Sequence, residues 1–250
     1  MTFALQTKNL VKKFGGFFAT NDVTLNVDDG ARHALIGPNG AGKTTLINLL
    51  TGFLEPTAGS VTLQGADVTH LAQHRRVKHG LARTFQINRL FADMSVLESV
   101  TMAVCERQGI GARWWRPVGA HGEAVDAAAK LLAQLRLLDV AHAQTKGLAY
   151  GKQRLIEIAL ALAAQPTVLL LDEPAAGVPT GESRELFETI AQLPRSVTIV
   201  LIEHDMDLVF RFADKITVLV SGALLTEGTP AAIAADPRVK EVYLGDAGHG

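Results

Sequence analysis

The eight residues GPNGAGKT, Gly37 to Thr44, constrain this chain more than any other stretch of its sequence. They fit the pattern G-x-x-x-x-G-K-[ST], and their flanks are those the pattern requires. ARHALI, Ala31 to Ile36, reads as a short strand entering the loop. TLINLLTGF leaves it as a helix, ended by the Gly52 region and then by Pro56. Gly40 and Gly42 let the backbone curl so that successive N–H groups point inward, and the helix N-terminus near Lys43 adds partial positive charge. Gly37, Asn39, Gly40, Ala41, Gly42, Lys43, Thr44 and Thr45 are therefore the candidate cradle for a nucleotide's phosphates. Lys43 is expected to reach the β- and γ-phosphates, and the Thr44 hydroxyl to ligate Mg²⁺.

Such a cradle needs a second, carboxylate-bearing strand. TVLLLDEP supplies it: an apolar run buries the strand, and Asp172 emerges at its carboxyl end. Asp172 is expected to orient the metal. Glu173, on the opposite side of the pleat, is placed to polarise a water attacking the γ-phosphate.

Around these two motifs the chain reads as strands to residue 36, then as mainly helix from about Asp67 to Gln153. Ser95 and Glu98 form a capping box. In EAVDAAAKLLAQLRLLD the residues Val125, Ala128, Leu131, Leu132, Leu135 and Leu138 share one apolar face. QRLIEIALALAAQ is a further helix, stopped by Pro166. A helix follows from about Gly181 to Leu193, then the buried strand SVTIVLIEHD, then a hairpin of KITVLV and ALLTEG turning at Ser221-Gly222. Continuous apolar strands alternating with helices predict an α/β fold with a parallel sheet covered on both faces, split in sequence by an all-helical insert.

Charge excludes some functions. Lys plus Arg total 24 against 25 Asp plus Glu, so the chain lacks the basic excess of a general nucleic-acid or anionic-membrane binder. One cysteine, Cys105, excludes an internal disulfide and a Cys-rich metal site, and is read as a small apolar residue. The N-terminus lacks the order of a signal peptide, and no apolar run is long enough to cross a membrane. Any membrane role is expected to be held through a partner. The eight histidines show no close ligand spacing.

The phosphate loop alone fits a GTPase, a kinase or an ATPase, and no N-K-x-D guanine signature occurs. The remaining landmarks resemble the ATPase subunit of ABC transporters over nearly the whole chain. They are Phe14 of KKFGG, Gln86 of RTFQ, His204 of IEHD, and LAYGKQ between the helical insert and the metal-binding strand. That resemblance implies an ABC-type P-loop nucleotide-binding domain, with a RecA-like mixed sheet core, an N-terminal antiparallel β part and the helical insert. It implies that Phe14 stacks on adenine, that Gln86 touches Mg²⁺ and senses the permease, and that His204 meets the γ-phosphate. It further implies that Ala149, Tyr150, Gly151 and Lys152 act in trans, closing over ATP on the opposite subunit of a head-to-tail dimer. The division expected is a catalytic core at 1–85 and 154–225, a signature subdomain at 86–153 and a tail at 226–250. Two positions depart from the family pattern. Ala149 stands where a serine hydroxyl is usual, and Pro179 stands about where an Asp or Asn would reach across the dimer.

Finer resemblance is to the ATPase subunits of branched-chain amino-acid importers, carried by RTFQINRLFADMSVLESV, LLLDEPAAGV and the long run from Glu203 to Gly245. It implies ATP and Mg²⁺ as cofactors, two permease subunits, a periplasmic binding protein and a second, different ATPase chain, all meeting at the cytoplasmic face of the inner membrane. Arg89, Leu90 and Phe91 are expected to line the groove for a permease helix. Trp114 and Trp115 receive no assignment: contact with lipid headgroups, contact with a partner, and packing of their loop on the helical insert are open alternatives. The alternatives are an ATP-binding subunit with little hydrolysis, an amide or urea importer, a lipid exporter, and a soluble ATPase of translation or DNA repair.

Overall fold

Two kinds of strand are present, and they build two sheets. The computed structural model describes residues 3–84, 93–110 and 121–246. The first sheet is antiparallel: β1 (Phe3–Phe14), β2 (Phe17–Val23), β3 (Asn26–Asp28), β5 (Ala58–Leu63) and β6 (Ala66–Asp67), in the order β2-β1-β5-β6, with β3 also on β1. Of its strands, β5 ends in an alternation of half-buried and buried positions, whereas β1 and β2 bury neighbouring pairs, Ala4–Leu5 and Ala19–Thr20, and pair with register shifts.

The second sheet contains β4 (Arg32–Ile36), β7 (Leu81–Arg83), β8 (Val168–Asp172), β9 (Thr198–Ile202), β10 (Lys215–Val220) and β11 (Ala223–Gly228). Its order is β11-β10-β4-β9-β8-β7. The pairs β10–β4, β4–β9 and β9–β8 are parallel, and β10–β11 is the antiparallel hairpin. Every residue of β4 and β9 is buried, and so are the first four of β8. These are the runs read as continuous apolar strands. The hairpin turns at Ser221 (φ 48°) and Gly222 (φ 79°), both left-handed, which matches the twist of the strands it joins.

The helices are α1 (Lys43–Thr51), α2 (Gln73–Lys78), α3 (Val96–Arg107), α4 (Gly122–Gln134), α5 (Tyr150–Ala163), α6 (Thr180–Ala191), α7 (Met206–Phe212), α8 (Pro230–Ala235) and α9 (Pro237–Asp246). The chain forms two compact units. One comprises residues 1–81, 167–173 and 195–250; the other comprises 82–166 and 174–194. Two apolar clusters of the described residues lie in the first unit. One is built on Leu5, Leu35, Leu46, Leu50, Leu170 and Val200; the other packs Val209, Ile216, Ile233 and Val239 on Ala34 and Ile36.

Three local expectations differ from the structure. The stretch from Asp67 onward is not all helix, because three residues form β7, too short to show a period. Helix α5 begins at Tyr150, inside LAYGKQ, and not at Gln153. Leu138 is 54 % exposed, because α4 stops at Gln134 and Arg136 takes φ 55°, which turns Leu137 into the core in its place. The Ser95–Glu98 capping box is formed on both sides. Cys105 is buried and free, and burial pushes its thiol pKa up.

One buried cation secures the helix that follows the phosphate loop. Arg76, 1 % exposed, donates to the carbonyls of Leu49 and Leu50 (both 2.7 Å), Thr69 (2.8 Å) and Leu71 (2.9 Å). It thereby caps the C-terminal end of α1, where a positive charge also suits the helix dipole. Gly52 takes the left-handed C-cap position, where a Cβ would lie 2.7 Å from Arg76 Nε. Arg76→Met leaves these carbonyls without their donor, and is expected to cost about 3–5 kcal/mol in urea unfolding. A loss under about 1 kcal/mol would contradict this reading.

Buried within the entering strand, His33 of β4 sets an acid limit. Its Nε2 lies 2.7 Å from Thr217 Oγ1, whose own proton goes to Glu227. Nε2 is therefore the donor, and the neutral ring fits. Burial lowers its pKa to about 4, against the pull of Glu227. Above pH 6.5 folded and unfolded chains both carry neutral His33, so there is no effect. Between 6.5 and 4 only the unfolded chain takes up the proton, and stability falls by up to about 3 kcal/mol. His33→Gln is expected to flatten this part of the stability–pH curve. An unchanged slope between pH 7 and 4.5 would exclude His33 as its source.

Candidate nucleotide site

Strand β4 delivers the chain into the loop with Gly37 (φ 156°) as the joint. A Cβ there would lie 2.2 Å from the Leu219 carbonyl oxygen. Gly40 (φ 78°) is exposed and has open space around it, so the left-handed backbone requires its glycine, not crowding. Gly42 (φ 97°) is the N-cap of α1, and a Cβ would lie 2.4 Å from the Ala19 carbonyl oxygen of β2. The β10–β11 turn ties the loop down: Gly222 N–H donates to Ala41 O at 3.0 Å, and Asn21 N–H donates to Gly222 O at 2.7 Å. Neither the hairpin's part in this nor that of β2 is signalled by the motif.

Helix α1 has no side-chain cap and no acidic residue in its first turn. Its first N–H groups are thus left for an anion to satisfy. Asn39 and Thr44 are exposed, Ala41 is buried, and Thr45 is half-buried. Lys43 is folded back on the loop, its Nζ donating to the carbonyls of Gly37 (2.5 Å) and Pro38 (3.0 Å). Burial lowers its pKa, while Glu173 and Asp172 pull it the other way. One cation and both carboxylates therefore share a single field.

Asp172 ends β8 opposite Ile202 of β9. Glu173 follows with φ 48° and donates its N–H to Ile202 O at 2.9 Å. A left-handed backbone on a non-glycine residue costs on the order of 1–3 kcal/mol and is usually kept where a side chain must be aimed. The sheet hydrogen bond holds it there.

Two further predicted residues sit in the same unit. Phe14 is not a core residue. It is 49 % exposed at the end of β1, with Lys12 Nζ 5.2 Å from its ring centroid. Its cross-strand partner Phe17 is 65 % exposed, an exposed aromatic that the sequence does not single out. His204 follows β9 with a 68 % exposed side chain. Its main-chain N–H donates to the carboxylate of Glu203, which is itself buried. Gln86 lies outside the described residues, as do Arg89, Leu90, Phe91, Trp114 and Trp115.

The other unit carries LAYGKQ at the start of α5. Ala149 is the N-cap and makes no side-chain cap. Tyr150 is held by Arg154, whose Nη2 donates to the phenol oxygen at 2.9 Å and whose guanidinium lies 4.9 Å from the ring. Gly151 N–H donates to Glu182 Oε2 at 2.8 Å, a partner that sequence reasoning misses. Lys152 pairs with Asp139. Pro179 is the N-cap of α6 and likewise makes no side-chain bond.

Among the described residues no three His, Cys, Asp or Glu side chains group as a metal cage. Mg²⁺ binds through one or two protein oxygens and substrate phosphates. Thr44 and Asp172 offer oxygens of the right kind.

Comparison with known proteins bears on the whole chain. The family model described as ABC transporter matches residues 20–176, and that described as branched-chain amino acid ATP-binding cassette transporter matches residues 223–249. The high-affinity branched-chain amino acid transport ATP-binding protein LivG of Salmonella typhimurium is 42 % identical, over 97 % of this chain and 98 % of its own. BraF of Pseudomonas aeruginosa, of the same description, is 40 % identical over the same shares. Among solved structures, a nucleotide-free ATP-binding cassette from an ABC transporter superposes with TM-score 0.84 at 32 % identity, covering 97 % of this chain and 99 % of its own. An ADP conformation of such a cassette gives 0.86 at 32 %, covering 98 % and 99 %. The chain belongs to the ABC transporter family, as an ATP-binding subunit most like those of branched-chain amino-acid transporters.

Proposed function

We propose that this chain is the ATP-hydrolysing subunit that powers import of branched-chain or related amino acids through a membrane permease, by ATP-driven dimerisation. The observation that carries the reading is an uncapped helix N-terminus whose Lys43 feels the charges of Asp172 and Glu173 at the end of β8. With ATP present, Lys43 exchanges two loop carbonyls for the β- and γ-phosphates, and the first N–H groups of α1 meet the phosphate oxygens. Mg²⁺, when bound, neutralises phosphate charge; Thr44, Asp172 and Gln86 would hold it. Glu173, fixed by its backbone, takes the proton of the attacking water. His204 orients the γ-phosphate, and Phe14 offers its open ring to adenine.

Ala149, Tyr150, Gly151 and Lys152 close over the nucleotide of a second ATPase subunit, taken to be a different chain. By these roles the functional division is a core at 1–85 and 154–225, a signature subdomain at 86–153 and a tail at 226–250. Among the described residues no helix is long and apolar enough to cross a membrane. In this reading the chain is held at the cytoplasmic face by two permease subunits, which work with a periplasmic binding protein. A tagged chain isolated from solubilised membranes is expected to bring down two integral-membrane subunits. Recovery with ribosomes, or with no membrane subunit, would overturn this placement.

A second reading, ATP binding with little hydrolysis, is favoured by one observation: the N-cap of α5 offers no hydroxyl. It predicts equal, near-zero turnover in wild type and Glu173→Gln.

A further inference from the structure

Gly151 is the second residue of α5, and its N–H is one that an N-cap side chain ordinarily accepts. Ala149 has no oxygen to offer. Glu182, from the first turn of α6, supplies one at 2.8 Å. The space around Gly151 is shaped by the same partner. A Cβ there would lie 2.9 Å from Glu182 Oε2 and 3.1 Å from Glu182 Cβ. Glycine is what lets this side chain lie against the start of α5. Glu182 is also the third residue of its own helix, from which a glutamate normally closes a capping box with a Ser or Thr N-cap. Pro179 holds that N-cap and cannot take part. The two departures from the family pattern, Ala149 and Pro179, thus converge on one carboxylate.

We propose that Glu182 is an internal stand-in for the γ-phosphate, a positioning residue that holds the signature N-terminus in the unpaired chain. It must let go when ATP on the opposite subunit docks there, so the inference rests on the trans arrangement proposed above. The helix N-terminus favours either anion. The two repel each other and compete for the Gly151 N–H. Breaking the bond raises the ATP concentration needed for closure, and re-forming it after hydrolysis favours reopening.

The test uses the full chain carrying Glu173→Gln, alone and in the assembled transporter, with pairing followed against Mg-ATP concentration. Glu182→Ala is expected to lower the half-saturating Mg-ATP about tenfold, and Glu182→Gln to lower it less. The affinity of the unpaired chain for ADP stays unchanged. A purely structural cap predicts the reverse, since its loss loosens α5 and weakens pairing. Half-saturation unchanged or raised in both variants overturns the proposal. Failure of the Glu173→Gln parent to pair at saturating ATP in either setting contradicts the trans arrangement, and this inference with it.

Discussion

Glu173→Gln is expected to bind ATP within about threefold of wild type and to hydrolyse it about 10²–10⁴ times more slowly. The amide keeps the size of the side chain, but cannot take a proton from water. The backbone at φ 48° and its bond to Ile202 O do not depend on the carboxylate, so the fold should persist. Phosphate release from the two purified proteins, with ATP binding measured in parallel, checks both halves. Turnover within tenfold of wild type would remove Glu173 from the proton-transfer role. Near-zero turnover in wild type as well would favour the binding-only reading.

The second large effect is expected at Gly42. Gly42→Ala forces a Cβ to within 2.4 Å of the Ala19 carbonyl oxygen, in a backbone conformation (φ 97°) that L-residues adopt at a cost of about 1–2 kcal/mol. The loop must lift off β2, carrying the first turn of α1 with it. ATP affinity is expected to fall at least about 100-fold, while the buried strands β4, β8 and β9 keep the chain folded. Titration with a fluorescent ATP analogue, beside a far-UV spectrum, measures the two separately. An affinity within about threefold of wild type would mean that the loop tolerates the shift.

The legible parts of this molecule are those encoded by short, local patterns. GPNGAGKT requires a strand before it and a helix after it, and both are present: Arg32–Ile36 is buried along its whole length, and Leu46, Ile47, Leu49 and Leu50 recur at helical spacing. VLLLD reads as a buried strand because it opens on an apolar run, and its last residue falls where the sheet ends. The fold class follows from such runs. What is not legible depends on residues far apart in sequence. Nothing around Gly151 signals a bond to Glu182, 31 positions away. Nothing in GPNGAGKT announces that the turn at Ser221-Gly222 and the backbone of β2 hold the loop. The left-handed backbone of Glu173 depends on a hydrogen bond from β9, so no local propensity predicts it. Helix α5 starts early because its cap comes from another helix, which hides the boundary from a search for Ser, Thr, Asp or Asn.

The central claim, that hydrolysis by this chain drives import, is tested most directly in cells lacking it. Uptake of labelled leucine, isoleucine and valine would be measured after restoring either wild type or Glu173→Gln, with equal amounts of each recovered in the membrane. Wild type is predicted to restore uptake and Glu173→Gln to leave it at the level of the deletion. Uptake that survives the deletion, or that Glu173→Gln restores in full, would contradict the account.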